Sequence, residues 1–321
     1  MNRLTNRVGI GLAAVARPAY ITSGRITDLG EHRSVDDLRR RTWDILEAAY
    51  DAGVRYVDVA RSYGRAEEFL AGWMGAHPGS DEVRVGSKWG YRYVGDWRRD
   101  AEVHEVKDHS LAAFTAQFAE TDALLGKRLE RYHIHSATPE TGVLEDVAVL
   151  RALAGLRERG IRVGVSTSGP AQAAVVRQAV GIVLDGEPLF GSVQSTWNVL
   201  ETSAGAALAE AADAGVQVIV KEPVANGRLA PGGAARGDER AARVAGLAAS
   251  LGVPVDQLAI AAALARPWAW CVLSGAVHPD QLASNVAATD LVLGETALAE
   301  LDAVVEDPAE YWAARSARSW G

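Results

Sequence analysis

The sequence predicts a closed (β/α)8 barrel of the TIM type, formed as one domain over residues 1–321. Three observations carry the prediction. Eight short β-rich runs recur along the chain, amphipathic stretches with apolar residues every three or four positions lie between them, and 321 residues suit one barrel with long loops. A doubly wound open sheet is the rival arrangement for the same alternation.

The first strand is expected over 7–12, followed by a loop over 13–34 and a helix over 35–52. A second strand at 55–60 leads into a helix over 65–74, and a third strand at 84–87 into a loop over 89–109. Helix 110–129, strand 132–136 and helix 143–159 come next, then strands at 162–166, 192–197, 217–220 and 271–276, with a tail at 307–321. Gly53, Gly160 and Gly215 each stop a helix just before a strand, while Pro170 and Pro279 stand near helix starts. The connections at 13–34, 89–109 and 223–237 are long enough to be functional, and in a barrel all three rise from the C-terminal face.

Composition narrows the partner. With 48% hydrophobic and 23% charged residues the chain is globular, and 33 basic against 41 acidic residues leave a net charge of −8. That balance removes the electrostatic basis for a nucleic-acid or acidic-membrane partner and makes a small molecule the expected ligand. Cys271 stands alone, no apolar run approaches the length of a membrane span, and a cytosolic protein is expected; oligomeric state is not indicated. Only Lys88, Lys107, Lys127 and Lys221 are lysines among the basic residues, a bias typical of GC-rich bacterial coding that makes each lysine worth inspecting.

In a barrel the chemistry sits at the strand ends. Asp58 shares a strand face with Tyr56 by the period of two, Tyr63 follows just past the rim, Lys88 ends the third strand and His135 the fourth. Each alone has a structural explanation, such as an ion pair or a core tyrosine. Together they suit proton donation to a carbonyl oxygen: Tyr63 as the acid, Lys88 lowering its pKa, Asp58 holding the ammonium, and His135 donating to the substrate oxygen. The hydride such a reduction needs must come from a nicotinamide, since no side chain supplies one.

The run Asp58-Val-Ala-Arg-Ser-Tyr63-Gly-Arg-Ala-Glu67, then Ser87-Lys88, then Tyr132-His-Ile-His135-Ser136, resembles the aldo-keto reductase superfamily in the order and strand placement of its Asp, Tyr, Lys and His tetrad. The likeness continues through Gly164-Val-Ser166, Gln194, Trp197-Asn198, Gly227-Arg-Leu229 and Gly275-Ala276 with Gln281 and Asn285. It implies NADPH, with NADH left open, lying across the barrel top and reducing an aldehyde or ketone such as a sugar or natural-product carbonyl. It further implies that Ser166 and Gln194 bond the carboxamide, with Thr167 beside them where the family has Asn, and that Trp197 stacks on the ring. Lys221, Pro223, Gly227, Arg228, Gly275, Gln281 and Asn285 fall at the remaining cofactor positions. Two departures stand out. Lys221-Glu222-Pro223-Val224 puts a carboxylate near the expected pyrophosphate, so either Lys221 neutralises Glu222 or the loop is arranged differently. The segment 274–281 lacks the Lys or Arg expected at a 2′-phosphate, leaving Arg228, Arg236 or Arg240 as substitutes.

Trp89, Tyr91, Tyr93 and Trp97 in the third loop, Arg17 and Tyr20 in the first, and Trp312, Arg315 and Trp320 in the tail are expected to form an aromatic substrate rim. Other readings are open. Gly9, Gly11 and Ala14 fit a dinucleotide fingerprint but lack a following helix, so strand-end packing explains them better. His133 and His135, with Asp58 two strands away, could begin a metal-hydrolase site, but such sites need more ligands, and His32, His77, His104, His109 and His278 lie on expected loops or helix ends, so His133 reads as an interior polar residue. Lys88 or Lys221 fits a Schiff-base aldolase, and a cofactor-sensing regulatory subunit could keep the whole tetrad.

Overall fold

The structure, a computed structural model, describes residues 7–20, 33–235 and 237–318. Eight parallel strands close into a barrel: β1 Val8–Gly11, β2 Tyr56–Asp58, β3 Arg84–Trp89, β4 Leu129–Ala137, β5 Arg162–Thr167, β6 Ser192–Thr196, β7 Gln217–Lys221 and β8 Ala269–Ser274. Neighbours in space are neighbours in sequence, and β1 pairs with β8 through Gly9 and Leu273 to shut the ring. All eight expected strands are present, and the open-sheet alternative falls because no edge is left.

Local chemistry explains the helices that wrap the barrel. Helix α1, Val35–Asp51, begins where the Ser34 side chain accepts from the Asp37 amide, and it buries Leu38, Ile45, Leu46 and Ala49 along one stripe. Leu38, Ile45 and Leu46 each contribute about 1.5–3 kcal/mol when fully buried. Helices α2 Ala66–Ala76, α3 Leu111–Leu125 and α4 Val147–Glu158 follow. The third was expected to reach 129 but stops at Gly126, whose φ of 49° turns the chain, so β4 starts three residues earlier than expected. The fourth starts at 147, later than expected, because Asp146 caps the Ala148 and Val149 amides. Helices α5 Gln172–Val180, α6 Gly205–Asp213, α7 Glu239–Ser250, α8 Val255–Leu264, α9 Pro279–Ala287, α10 Glu295–Asp302 and α11 Pro308–Ser316 complete the set among the described residues. No single helix among the described residues is long and apolar enough to cross a membrane.

Inside the barrel the lower layers are sealed by side chains of unusual polarity. The Arg131 guanidinium lies 4.1 Å from the Trp270 ring centre and 5.2 Å from that of Tyr56, with Cys271 and Ile219 packed nearby. His133 bonds Ser192 Oγ at 2.8 Å, so it is the hydrogen-bonded interior residue expected. Gly9 is a packing glycine: a Cβ there would come within 2.9 Å of Cys271, Leu273 and Tyr56. The interior is filled at this level, and open space lies toward the C-terminal rim. There the third loop folds as a hairpin, Tyr91–Tyr93 against Glu105–Lys107, and the expected tail contains α11, capped by Asp307.

Candidate active site

Three consecutive strand ends, β2, β3 and β4, bring Asp58, Lys88 and His135 together with Tyr63, which follows β2. The Lys88 ammonium forms a buried ion pair with Asp58, donates to the Val59 carbonyl at 2.9 Å, and reaches the Tyr63 hydroxyl at 3.4 Å. On the other side of that hydroxyl His135 Nε2 stands at 3.5 Å, with the His135 ring edge-on to Tyr63. Asp58 is oriented by Gln194, whose amide donates to Oδ2 at 2.8 Å. The hydroxyl thus has a cation on one flank and an imidazole on the other.

Electrostatics sharpen the roles. Burial, with Asp58 adding to it, holds the Tyr63 phenol well above the ordinary tyrosine value, while Arg17 pulls the other way. The expected lowering by Lys88 does not appear, because the Lys88 charge is matched by Asp58. The phenol therefore carries its proton at neutral pH and gives it up only to a strongly basic oxygen, such as the alkoxide formed when a carbonyl is reduced. Burial, then Lys88 and Arg17, push His135 well below the usual histidine range, so its imidazole is neutral. Its Nδ1 is buried with no partner among the described residues.

Of the four residues, Asp58 and Tyr63 line a cleft whose other walls include Gly11, Tyr20, Gln194, Lys221, Pro223 and Gly275. Of the sequence-predicted cofactor residues, Gln194, Lys221, Pro223, Gly227 and Gly275 line it. No atom lies within 4 Å of where a Gly275 Cβ would stand, so the rim leaves room for a ligand against the backbone.

Others are placed differently. Ser166 Oγ accepts from the Ser136 amide at 2.8 Å, and Thr167 pairs with Ser195, so both help to tie the strand ends. Trp197 is buried edge-on to Trp268 with Arg266 at 4.7 Å from its ring, packed as a core aromatic instead of lining the cleft. Arg228 is clamped by Asp238 and Glu306, which leaves its charge matched twice over. Gln281 accepts from the Val277 amide at 2.9 Å, and Asn285 links Ser274 to Asp256, so each holds the loop after β8 from within. Arg240 lies on α7, and Arg236, His32 and Trp320 are outside the described residues.

The expected rim divides in the same way. Tyr91 lies edge-on to His135 with centroids 5.0 Å apart, at the mouth. Trp97 donates its indole N–H to the Arg33 carbonyl, and Trp312 is buried beneath Arg315. Trp89 is corrected: it is fully buried against Phe114 and His109, because the strand runs two residues further than expected and carries it into the barrel wall. Glu105 escaped sequence reasoning altogether. It crosses from the hairpin to pair with Arg17 at 3.0 Å, a contact between residues 88 apart with no local pattern to announce it.

A parallel barrel with an Asp, Tyr, Lys and His constellation at its C-terminal rim defines a class of carbonyl oxidoreductases, and the family model for the aldo/keto reductase family matches residues 30–306. The chain belongs to the aldo/keto reductase family. It is 36% identical over 140 residues to an aldo-keto reductase of Mycobacterium sp. (strain JLS) and 35% identical over 140 residues to one of strain KMS. Each match covers 43% of this chain and 45% of the relative, so the chain matches less than half the length of these curated relatives. In fold it is similar to the holo form of an aldo-keto reductase from Bacillus halodurans, with a TM-score of 0.67 and 18% identity over 94% of this chain and 92% of that one.

Proposed function

We propose that this chain reduces an aldehyde or ketone to an alcohol with NADPH or NADH, as a cytosolic enzyme acting on a small molecule. The observation that carries the reading is the Tyr63 hydroxyl, held between Lys88 Nζ and His135 Nε2 in the lining of a cleft with open glycine rims. The nicotinamide, when bound, supplies the hydride. Gln194, Lys221, Gly227 and Gly275 are the residues of this chain that would hold it, and the room over Gly275 fits such a flat ligand.

The chain's own part is proton transfer and orientation. As the carbonyl carbon is reduced, its oxygen takes the Tyr63 proton, and Arg17, the cation that favours the phenolate, stabilises what is left behind. Neutral His135 offers an N–H to the same oxygen without competing for the proton. Asp58 keeps Lys88 in place, and Gln194 keeps Asp58 in place. Tyr91 and the hairpin cover the mouth and form one wall of the substrate site.

The test is tryptophan fluorescence quenching on titration with NADPH and, separately, NADH. Saturable quenching by either is expected, and the stronger of the two names the coenzyme. Quenching by neither defeats the reductase reading.

A further inference from the structure

Neighbouring opposite charges such as Lys221 and Glu222 would ordinarily cancel one another. Here the carboxylate belongs to a third residue. Glu222 adopts a left-handed backbone, φ 57°, and Arg315 of α11 grips both of its oxygens, with Nε 3.0 Å from Oε2 and an Nη2 contact to Oε1. The Thr196 hydroxyl donates to Oε2 at 3.0 Å. Burial opposes this charge, but Arg315 and then Lys221 hold the carboxyl well below the usual range. The Lys221 ammonium stays 3.7 Å from Oε1 and makes its shorter contact, 2.7 Å, to the neutral Thr196 hydroxyl.

Two cations therefore share one carboxylate. Of the charges nearest Tyr63, Lys88 pairs with Asp58 and Arg17 with Glu105, and His135 is neutral. Lys221 is thus the surplus positive charge among the described cleft residues, and it lines the cleft together with Gln194 and Glu222. Burial lowers its pKa to about 8, with Glu222 holding it up and Arg315 and Lys88 pushing it down, so it is charged at pH 7 and loses its proton above pH 8.

We propose that Lys221 is an anion-binding group of the cleft, released by the Arg315–Glu222 pair to hold a phosphate or a carboxylate beside Tyr63. The proposal rests on the reductase reading for the identity of the cleft, not for the chemistry performed in it. The anion has two sources, the diphosphate of the coenzyme or an acidic group on the substrate.

Isothermal calorimetry with ADP-ribose and inorganic pyrophosphate probes the first source, and comparison of 4-carboxybenzaldehyde with benzaldehyde, by binding, probes the second. Lys221→Met is expected to weaken the source that is used by roughly tenfold, the usual scale of one charge-assisted bond. Wild-type binding of that probe should fall between pH 7 and pH 9. Arg315→Met should mimic the loss by letting Lys221 close on Glu222, and Glu222→Gln added to the same chain should restore binding. That rescue separates the charge effect from loosening of α11. Unchanged binding of both probe sets in Lys221→Met, or no binding of either by the wild type, overturns the proposal. Anion binding that depends on Lys221 without any NADPH or NADH turnover would defeat the reductase reading and leave this one standing.

Discussion

The guanidinium carbon of Arg17 lies 4.9 Å from the centre of the Tyr63 ring. It is 1% exposed, donates to the Ala13 and Ser62 carbonyls, and is paired with Glu105, so it cannot move away when Tyr63 changes charge. A fixed cation at this distance favours the phenolate, which makes the phenol a better acid. Arg17→Met should therefore lower turnover by about tenfold or more through kcat, while Arg17→Lys keeps part of the rate. Steady-state kinetics on both variants check this, and an unchanged kcat in Arg17→Met removes Arg17 from the acid's environment.

Tyr63→Phe keeps the ring packing against His135 and deletes only the donor. Turnover should fall by at least about 100-fold, the scale of a lost general acid, while coenzyme quenching persists. Residual activity near wild type would assign the proton to another group.

Lys88→Met leaves Asp58, 2% exposed, with Gln194 and Tyr56 but no counter-charge. A loss of about 3–5 kcal/mol is expected from the uncompensated buried charge. Adding Asp58→Asn should recover most of that stability in denaturant melts and none of the activity. Equal stability of the two variants would mean that Asp58 is neutral in the fold.

Asn285 ties Ser274, which caps the Ala276 amide, to Asp256 on α8. Asn285→Ala should cost about 1–3 kcal/mol by leaving buried groups unpaired. If the residue acts by shaping the loop after β8, KM for coenzyme rises and kcat holds; the reverse split would place Asn285 in the chemistry.

Burial lowers both His133 and His135 well below the ordinary histidine value, with Lys88 contributing in each case. Their folded-state values lie beneath their unfolded ones, so below about pH 6.5 the unfolded chain binds protons that the folded chain refuses. Stability should fall on acidification, by up to about 1.4 kcal/mol per pH unit for each ring. Glu222, held low in the same sense, adds its loss only in the carboxylate range. Urea melts between pH 6.5 and 5 should show a shallower slope in His133→Gln; identical slopes would mean that His133 already carries its proton in the fold.

The barrel and its tetrad were legible because they obey local rules. Alternation marked Asp58 and Tyr56 as sharing a face, and Tyr56 does approach Asp58 at 3.5 Å. Glycine stops such as Gly53 and Gly160 marked helix ends, and both have the positive φ that the stop requires. What stayed hidden depends on distant pairing. Trp197, expected to stack on a ligand, lies 3% exposed and edge-on to Trp268, 71 residues on. The role of Glu222 was undecidable from its neighbours, since its partner Arg315 is 93 residues away. Helix α11 lies within the stretch expected as a tail, and the Asp307 cap before Pro308 is its helix start signal.

Helix α11 also sets an order of events in the making of the protein. Tyr311 bonds Asn198 at 3.0 Å, Arg315 grips Glu222, and Glu306 clamps Arg228, so one wall of the cleft is stapled from residues beyond 305. The strands and the Tyr63 cluster can assemble on a nascent chain, but the cleft beside them acquires its final charge only after Arg315 has cleared the ribosome.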